Sequence, residues 1–171
     1  DFSENADPNS DEVHKRGAQN LKKMIDNAIM ISDQTPSFYL YKQVMGTNSQ
    51  IGLVASASIG EYNNNLIKKH EYTRKDKEDE RTNHVNILNA NTGPVFLTYL
   101  HRNEIDKLVN QLTLKTPDVD FVSDDDISHT LWVINNVEDT NEFIKLFEKI
   151  PALYVADGHH RSAAAKRVCA L

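Results

Sequence analysis

Ala152-Leu153-Tyr154-Val155-Ala156-Asp157-Gly158-His159-His160-Arg161-Ser162-Ala163-Ala164-Ala165-Lys166-Arg167 joins an apolar run to an alanine-rich, cationic one through a single Asp-Gly step. The pattern predicts a strand, a tight turn and a helix N-terminus. Gly158 permits positive φ and close backbone approach, and the first N–H groups of a helix lack intrahelical acceptors where the dipole favours negative charge. Arg161 adds a two-pronged contact suited to phosphate or carboxylate. A solvated turn with Asp157 as N-cap explains the same residues more plainly. Two His and an Arg at a helix start have little packing purpose, which favours the anion site.

Outward from that turn, a second cluster runs Lys68-Lys69-His70-Glu71-Tyr72-Thr73-Arg74-Lys75-Asp76-Lys77-Glu78-Asp79-Glu80-Arg81-Thr82-Asn83-His84 and continues into Val85, Ile87 and Leu88. A helix from Lys75 to Ala90 puts Lys77, Arg81, His84 and Leu88 on one stripe. That stripe would present cations to a phosphate. By spacing alone it reads more readily as a solvated face of weak ion pairs among Asp76, Glu78 and Glu80.

The order His70-Glu71-Tyr72-Thr73, Lys77-Glu78-Asp79-Glu80-Arg81, Asn91-Thr92-Gly93-Pro94-Val95-Phe96-Leu97, His129-Thr130-Leu131-Trp132 and Ala156-Asp157-Gly158-His159-His160-Arg161 resembles that of the pyrophosphate-dependent free-serine kinases, a family formerly filed as a domain of unknown function. The Gly-His-His-Arg turn is similar to the phosphate-binding turn of the ParB and sulfiredoxin fold, which archaeal ADP-dependent serine kinases also use. The resemblance spans about Asp11 to Leu171 and implies phosphoryl transfer to the hydroxyl of free L-serine, from pyrophosphate or a nucleotide, with Mg²⁺. Phosphoryl transfer needs charge neutralisation, positioning and a group to orient or deprotonate the attacking hydroxyl. The resemblance gives the transferring phosphate to Gly158, His159, His160 and Arg161, and the rest of the donor to Lys77 and Arg81. It makes Glu71, beside His70, the first choice for the base. Asp157 is the alternative base, or a Mg²⁺ ligand with the donor oxygens. Thr73 is assigned to phosphate or to a helix cap, and Asn91, Thr92 and Gly93 to the substrate cleft or to a plain turn.

Composition fits a globular catalytic domain. The 171 residues suffice for one domain with a sizeable core, and 39% apolar with 26% charged residues is ordinary. A formal net charge of -6 argues against a general nucleic-acid surface, so an anion site has to be a local basic pocket. The single Cys169 excludes an internal disulfide framework and reads as filler on an apolar helix face in a reducing compartment. No apolar run reaches membrane-spanning length and no signal peptide is visible, so a cytoplasmic protein with no membrane partner is expected. The chain lacks a starting Met and stops where Val168 to Leu171 still read as a buried helix face, as expected of the N-terminal and central part of a longer protein.

Asp1 to Asn9 reads as a flexible lead-in to a single domain over residues 10–171. Ser10 or Asp11 caps a helix expected to run through Ile31, on the periodicity of Ala18, Leu21, Ile25 and Ile29. Ser37–Met45 and Gln50–Ile59 flank Gly46-Thr47-Asn48-Ser49 as a hairpin, and Gly60–Lys69 is irregular or briefly helical. Strands follow at 94–100, 118–123 and 129–135, the last two around Asp124-Asp125-Asp126, with helices at 104–114 and 137–149. Irregular alternation with a hairpin points to an α+β fold with a mixed sheet and flanking helices. No P-loop and no dinucleotide-binding Gly-x-Gly-x-x-Gly turn is present. Zinc at His159-His160 is disfavoured, since adjacent rings rarely ligate one tetrahedral ion and no Cys-x-x-Cys or His-Glu-x-x-His accompanies them. A ParB-like nucleotide or nucleic-acid-binding module without catalysis is the alternative reading. The acidic balance and the Asp124 run speak against it.

Overall fold

The computed structural model describes residues 10–171; the expected lead-in over 1–9 lies outside them. In chain order the elements are α1 (Asp11–Asp26), β1 (Phe38–Met45), β2 (Asn48–Val54), α2 (Ile59–Asn63), β3 (Ile67–Lys68), α3 (Lys75–Leu88), β4 (Phe96–Thr98), α4 (Asn103–Leu112), β5 (Val119–Val122), β6 (Ser128–Ile134), α5 (Val137–Phe147), β7 (Leu153–Asp157) and α6 (His159–Val168). They form two sheets with flanking helices, an α+β fold as the sequence pattern predicts. The residues gather into two compact units, the second inserted between pieces of the first.

The first unit comprises the chain up to Ser32, Ser58–Tyr99 and Ala152–Leu171. Its three-stranded sheet has the order β3-β7-β4 and is mixed, because β7 pairs parallel with β3 and antiparallel with β4. Tyr62, Ile67 and Val155 form its core, with Val95, Leu97 and Leu153 packed against them. Helix α3 packs on α6 and α1 on α3. Ala163 and Ala164 are buried on α6, which explains the alanine run as the small face that lets α6 sit close.

The second unit comprises Asp33–Ala57 and Leu100–Pro151. Its four-stranded antiparallel sheet runs β2-β1-β6-β5. The β1–β2 hairpin closes through Gly46, whose φ of 58 needs a residue without Cβ strain. Leu40, Trp132, Ile134, Phe143, Leu146, Ile105 and Leu112 are buried. The Trp132 indole N–H donates to the Lys115 carbonyl at 2.9 Å, so this ring is core with its polar edge satisfied.

Three local expectations fail for identifiable reasons. Helix α1 stops at Asp26 rather than Ile31, because Ala28 takes a left-handed φ of 54 and the amides of Ile29 and Met30 turn back to the Met24 carbonyl. Ile25 and Ile29, part of the apolar periodicity that suggested the longer helix, are exposed. Strand β2 ends at Val54, and Ser58 instead caps α2 by accepting from the Glu61 amide. At the other end α6 stops at Val168, so Cys169 is free and exposed rather than core filler, and Leu171 is exposed too.

Candidate functional site

Strand β7 delivers Asp157 to the sheet end, and Gly158 then turns the chain with φ 96 and ψ 32 to serve as N-cap of α6. A Cβ at Gly158 would lie 3.2 Å from Arg161 Nε and 3.3 Å from Val95 Cγ1, so both the dihedral and the space require glycine. No side chain caps α6, and its first turn carries no acid. Arg161 is held by two hydrogen bonds, one to the Asp157 carboxylate and one to the Pro94 carbonyl. Gly93 makes room for it, since a Cβ there would sit 3.2 Å from Arg161 Nη1. The 91–94 turn therefore seats Arg161.

The His70 cluster comes to the same place. Glu71, Arg74, Lys77 and Arg81 line one cleft of about 410 Å³ together with Ala156, Asp157, Gly158, His159, His160 and Arg161. Helix α3 presents Lys77 and Arg81 one turn apart, each loosely paired with Glu80 at 3.9 and 4.0 Å. Exposed pairs of this length contribute little and leave both cations available. The rest of the predicted stripe does something else: His84 meets the ring of His14 edge-on at 5.5 Å and Leu88 lies beside Gly17, both against α1. Thr73 is not among the cleft-lining residues, and its hydroxyl donates to Glu78. Asn91, Thr92 and Gly93 do not line the cleft either.

Arg74 is the site residue that spacing did not single out. Its amide donates to His160 Nε2 at 3.2 Å, tying the start of α3 to the Gly158 turn. With Nε2 accepting, neutral His160 carries its proton on Nδ1, where it is a donor. Arg74 also grips Asp76 through Nε and Nη2 at 3.1 and 2.6 Å, and this fork holds the Asp76 carboxyl below its ordinary range. Deeper on the same helix pair, Lys75 and Arg167 lower the Asp79 carboxyl, and Arg167 on α6 reaches Asp79 at 2.7 Å and Glu78 at 3.5 Å. Of these charges Arg167 is the one that ties α6 to α3, and it does not line the cleft.

Glu71 stands between two imidazoles. His159 Nδ1 is 3.4 Å from Glu71 Oε2, and His70 Nε2 is 3.8 Å from Glu71 Oε1. The two rings meet edge-on at 4.5 Å. His159 is only 5% exposed, whereas the His70 and Glu71 side chains are about three-fifths exposed. The Glu71 carboxylate thus lies beside a buried ring and on the wall of the cleft. In the second unit a hollow of about 190 Å³ beside Trp132 has no comparable set, since Lys115 on its wall is paired with Asp139 at 3.1 Å.

Among the described residues no helix is long and apolar enough to cross a membrane. No curated protein and no solved structure matches the chain. Its relationship is carried by a match that extends over residues 1–171, and the chain belongs to the family described as "Protein of unknown function (DUF1015)".

Proposed function

We propose that the protein is a phosphotransferase that moves a phosphoryl group from pyrophosphate or a nucleotide to the hydroxyl of free L-serine. The carrying observation is the convergence of Arg74, Lys77, Arg81 and Arg161 with an uncapped helix start and the Glu71 carboxylate around one cleft. Cations and backbone N–H groups answer the need to neutralise a polyphosphate, and Glu71 answers the need for a base. Serine as acceptor, and membership of the serine-kinase branch, rest on the motif order.

In this reading the α6 amides and Arg161 hold the transferring phosphate, while Lys77, Arg81 and Arg74 bind the remainder of the donor. His160, through Nδ1–H, adds a neutral donor. Glu71 takes the serine hydroxyl proton as the serine oxygen bonds to phosphorus, and the bond to the leaving phosphate breaks with its electron pair going to that phosphate. Asp157 and Glu71 are the two carboxylates on the cleft wall. Asp157 together with the donor oxygens fits Mg²⁺, which takes one or two carboxylates plus phosphate oxygens. Asp157 would hold the ion, which when bound neutralises charge on the donor. The deciding experiment incubates the protein with L-serine, Mg²⁺ and, in turn, pyrophosphate, ADP and ATP, following O-phosphoserine by mass spectrometry. Phosphoserine from one donor is the expected result. Saturable binding of all three donors with no phosphoserine from any would replace the kinase by a nucleotide-binding module.

A further inference from the structure

We propose that His70, Glu71 and His159 form a binding site for a divalent transition-metal ion of the zinc class. One ligand atom from each lies within 4.8 Å of the others. Ligands about 2.0–2.1 Å from a tetrahedral ion stand roughly 3.3–3.5 Å apart. The His159–Glu71 pair already has that spacing at 3.4 Å, and the His70–Glu71 pair at 3.8 Å needs a small closure by two exposed side chains.

The second observation is the state of His159. Its ring is buried, its Nε2 has no partner among the described residues, and its Nδ1 is farther from Glu71 than a good hydrogen bond. Nδ1, which faces Glu71, is the nitrogen that an ion between the two residues would take, and the proton of the neutral ring then sits on Nε2. The neutral imidazole is the form that ligates. Two imidazoles and one carboxylate make the donor set of three-ligand zinc sites and of the two-His, one-carboxylate iron sites, and both leave coordination positions open. Mg²⁺ prefers oxygen throughout, so this ion differs from the one Asp157 would hold with the donor. His159 thus pairs as a ligand with His70, distant in sequence, and not with its neighbour His160. Resting on the phosphotransferase reading, the consequence is inhibition: an ion on Glu71 occupies the lone pairs that the base needs.

The test titrates metal-free protein with Co²⁺, following its visible d–d absorption, and then displaces Co²⁺ with Zn²⁺. One Co²⁺ per chain with the intense band of a low-coordinate site is expected. H70A and E71Q should each weaken binding by about tenfold or more, with unchanged far-UV circular dichroism because both side chains are exposed. H160A should leave binding unchanged. Absence of saturable Co²⁺ binding, or binding indifferent to both H70A and E71Q, overturns the site. Phosphoserine formation measured separately with and without Zn²⁺ tests the inhibition. Metal binding without any kinase activity would remove the phosphotransferase reading and leave the metal site standing, whereas full activity at saturating Zn²⁺ would refute the inhibition alone.

Discussion

Two helices begin directly after a strand, and the chain finishes their starts in opposite ways. Helix α5 follows β6 through Asn136, whose side-chain oxygen accepts from the Glu138 and Asp139 amides at 2.8 and 3.2 Å, and those two acids sit at the positive end of the dipole. Helix α6 follows β7 through Gly158, with no side-chain cap, no acid in the first turn, and His159, His160 and Arg161 instead. The first start is closed by its own chain and stabilises a fold. The second has no such cap and is surrounded by cations, the arrangement that under the proposed function receives the donor. The difference separates a helix end closed by its own side chains from one left open at the cleft.

Substitutions at the two ends should therefore give opposite signatures. The largest effect tests whether the α6 end hosts a reaction as well as an anion. Glu71→Gln keeps shape and removes the base, so phosphoserine turnover should fall by about 10² to 10⁴ while donor affinity stays close to wild type. Near-normal turnover in that variant together with loss in Asp157→Asn would move the base to Asp157. Next in size, Arg161→Lys keeps one charge but loses the fork held by Asp157 and Pro94. Donor affinity, read by calorimetry, should drop about tenfold or more; unchanged affinity would detach Arg161 from the anion.

Gly158→Ala forces a Cβ against Arg161 and Val95 at a φ of 96. It should cost about 1–3 kcal/mol in a denaturant titration and weaken donor binding as well. Asn136→Ala, at the closed end, should cost about 1 kcal/mol and leave donor binding untouched; a binding defect there would collapse the contrast between the two helix starts. The smallest effect concerns pH. Burial, with His14 and Arg81 nearby, pushes the His84 imidazole below its usual value of 6.5. A depressed folded value means that His84 contributes stability fully present above the unfolded value and lost as pH falls through the folded one. Urea midpoints should decline from about pH 6.5 downward, and His84→Gln should flatten that decline.

The two helix starts were also unequally legible in the sequence. Asp157-Gly158 followed by His-His-Arg announces its own turn, because only glycine suits that dihedral and cations rarely gather at a helix start without an anion. The start of α3 at Lys75 was also expected, but the cap offered for it was not: Arg74 rather than Thr73 is the N-cap, and no side chain caps the helix. Which cations of α3 face the cleft was not legible, since Lys77, Arg81, His84 and Leu88 share one stripe and tertiary packing sends the first two to the cleft and the last two to α1. Arg74 was not singled out because it lies before the Lys77–Arg81 stripe, and its tie to His160 runs through a backbone amide, which residue type does not encode. The early end of α1 depends on Ala28 adopting a left-handed φ that alanine seldom takes, so apolar periodicity through Ile29 pointed the wrong way. The grouping into two units reflects long-range strand pairing, which no local window contains.

That pairing also sets an order of events. The parallel register joins Ile67 to Leu153 and Lys68 to Tyr154, and the whole stretch Leu100–Pro151 of the inserted unit lies between. A parallel pair across so long a loop carries a large closure entropy and gains nothing until both partners exist. During synthesis the hairpin β1–β2 and its partners β6 and β5 are complete before β7 emerges, whereas the cleft has only its α3 wall. The nascent chain therefore passes through a stage in which the inserted unit can fold while Glu71, Lys77 and Arg81 wait for the Gly158 turn, and the cleft is complete only when β7 slots between β3 and β4.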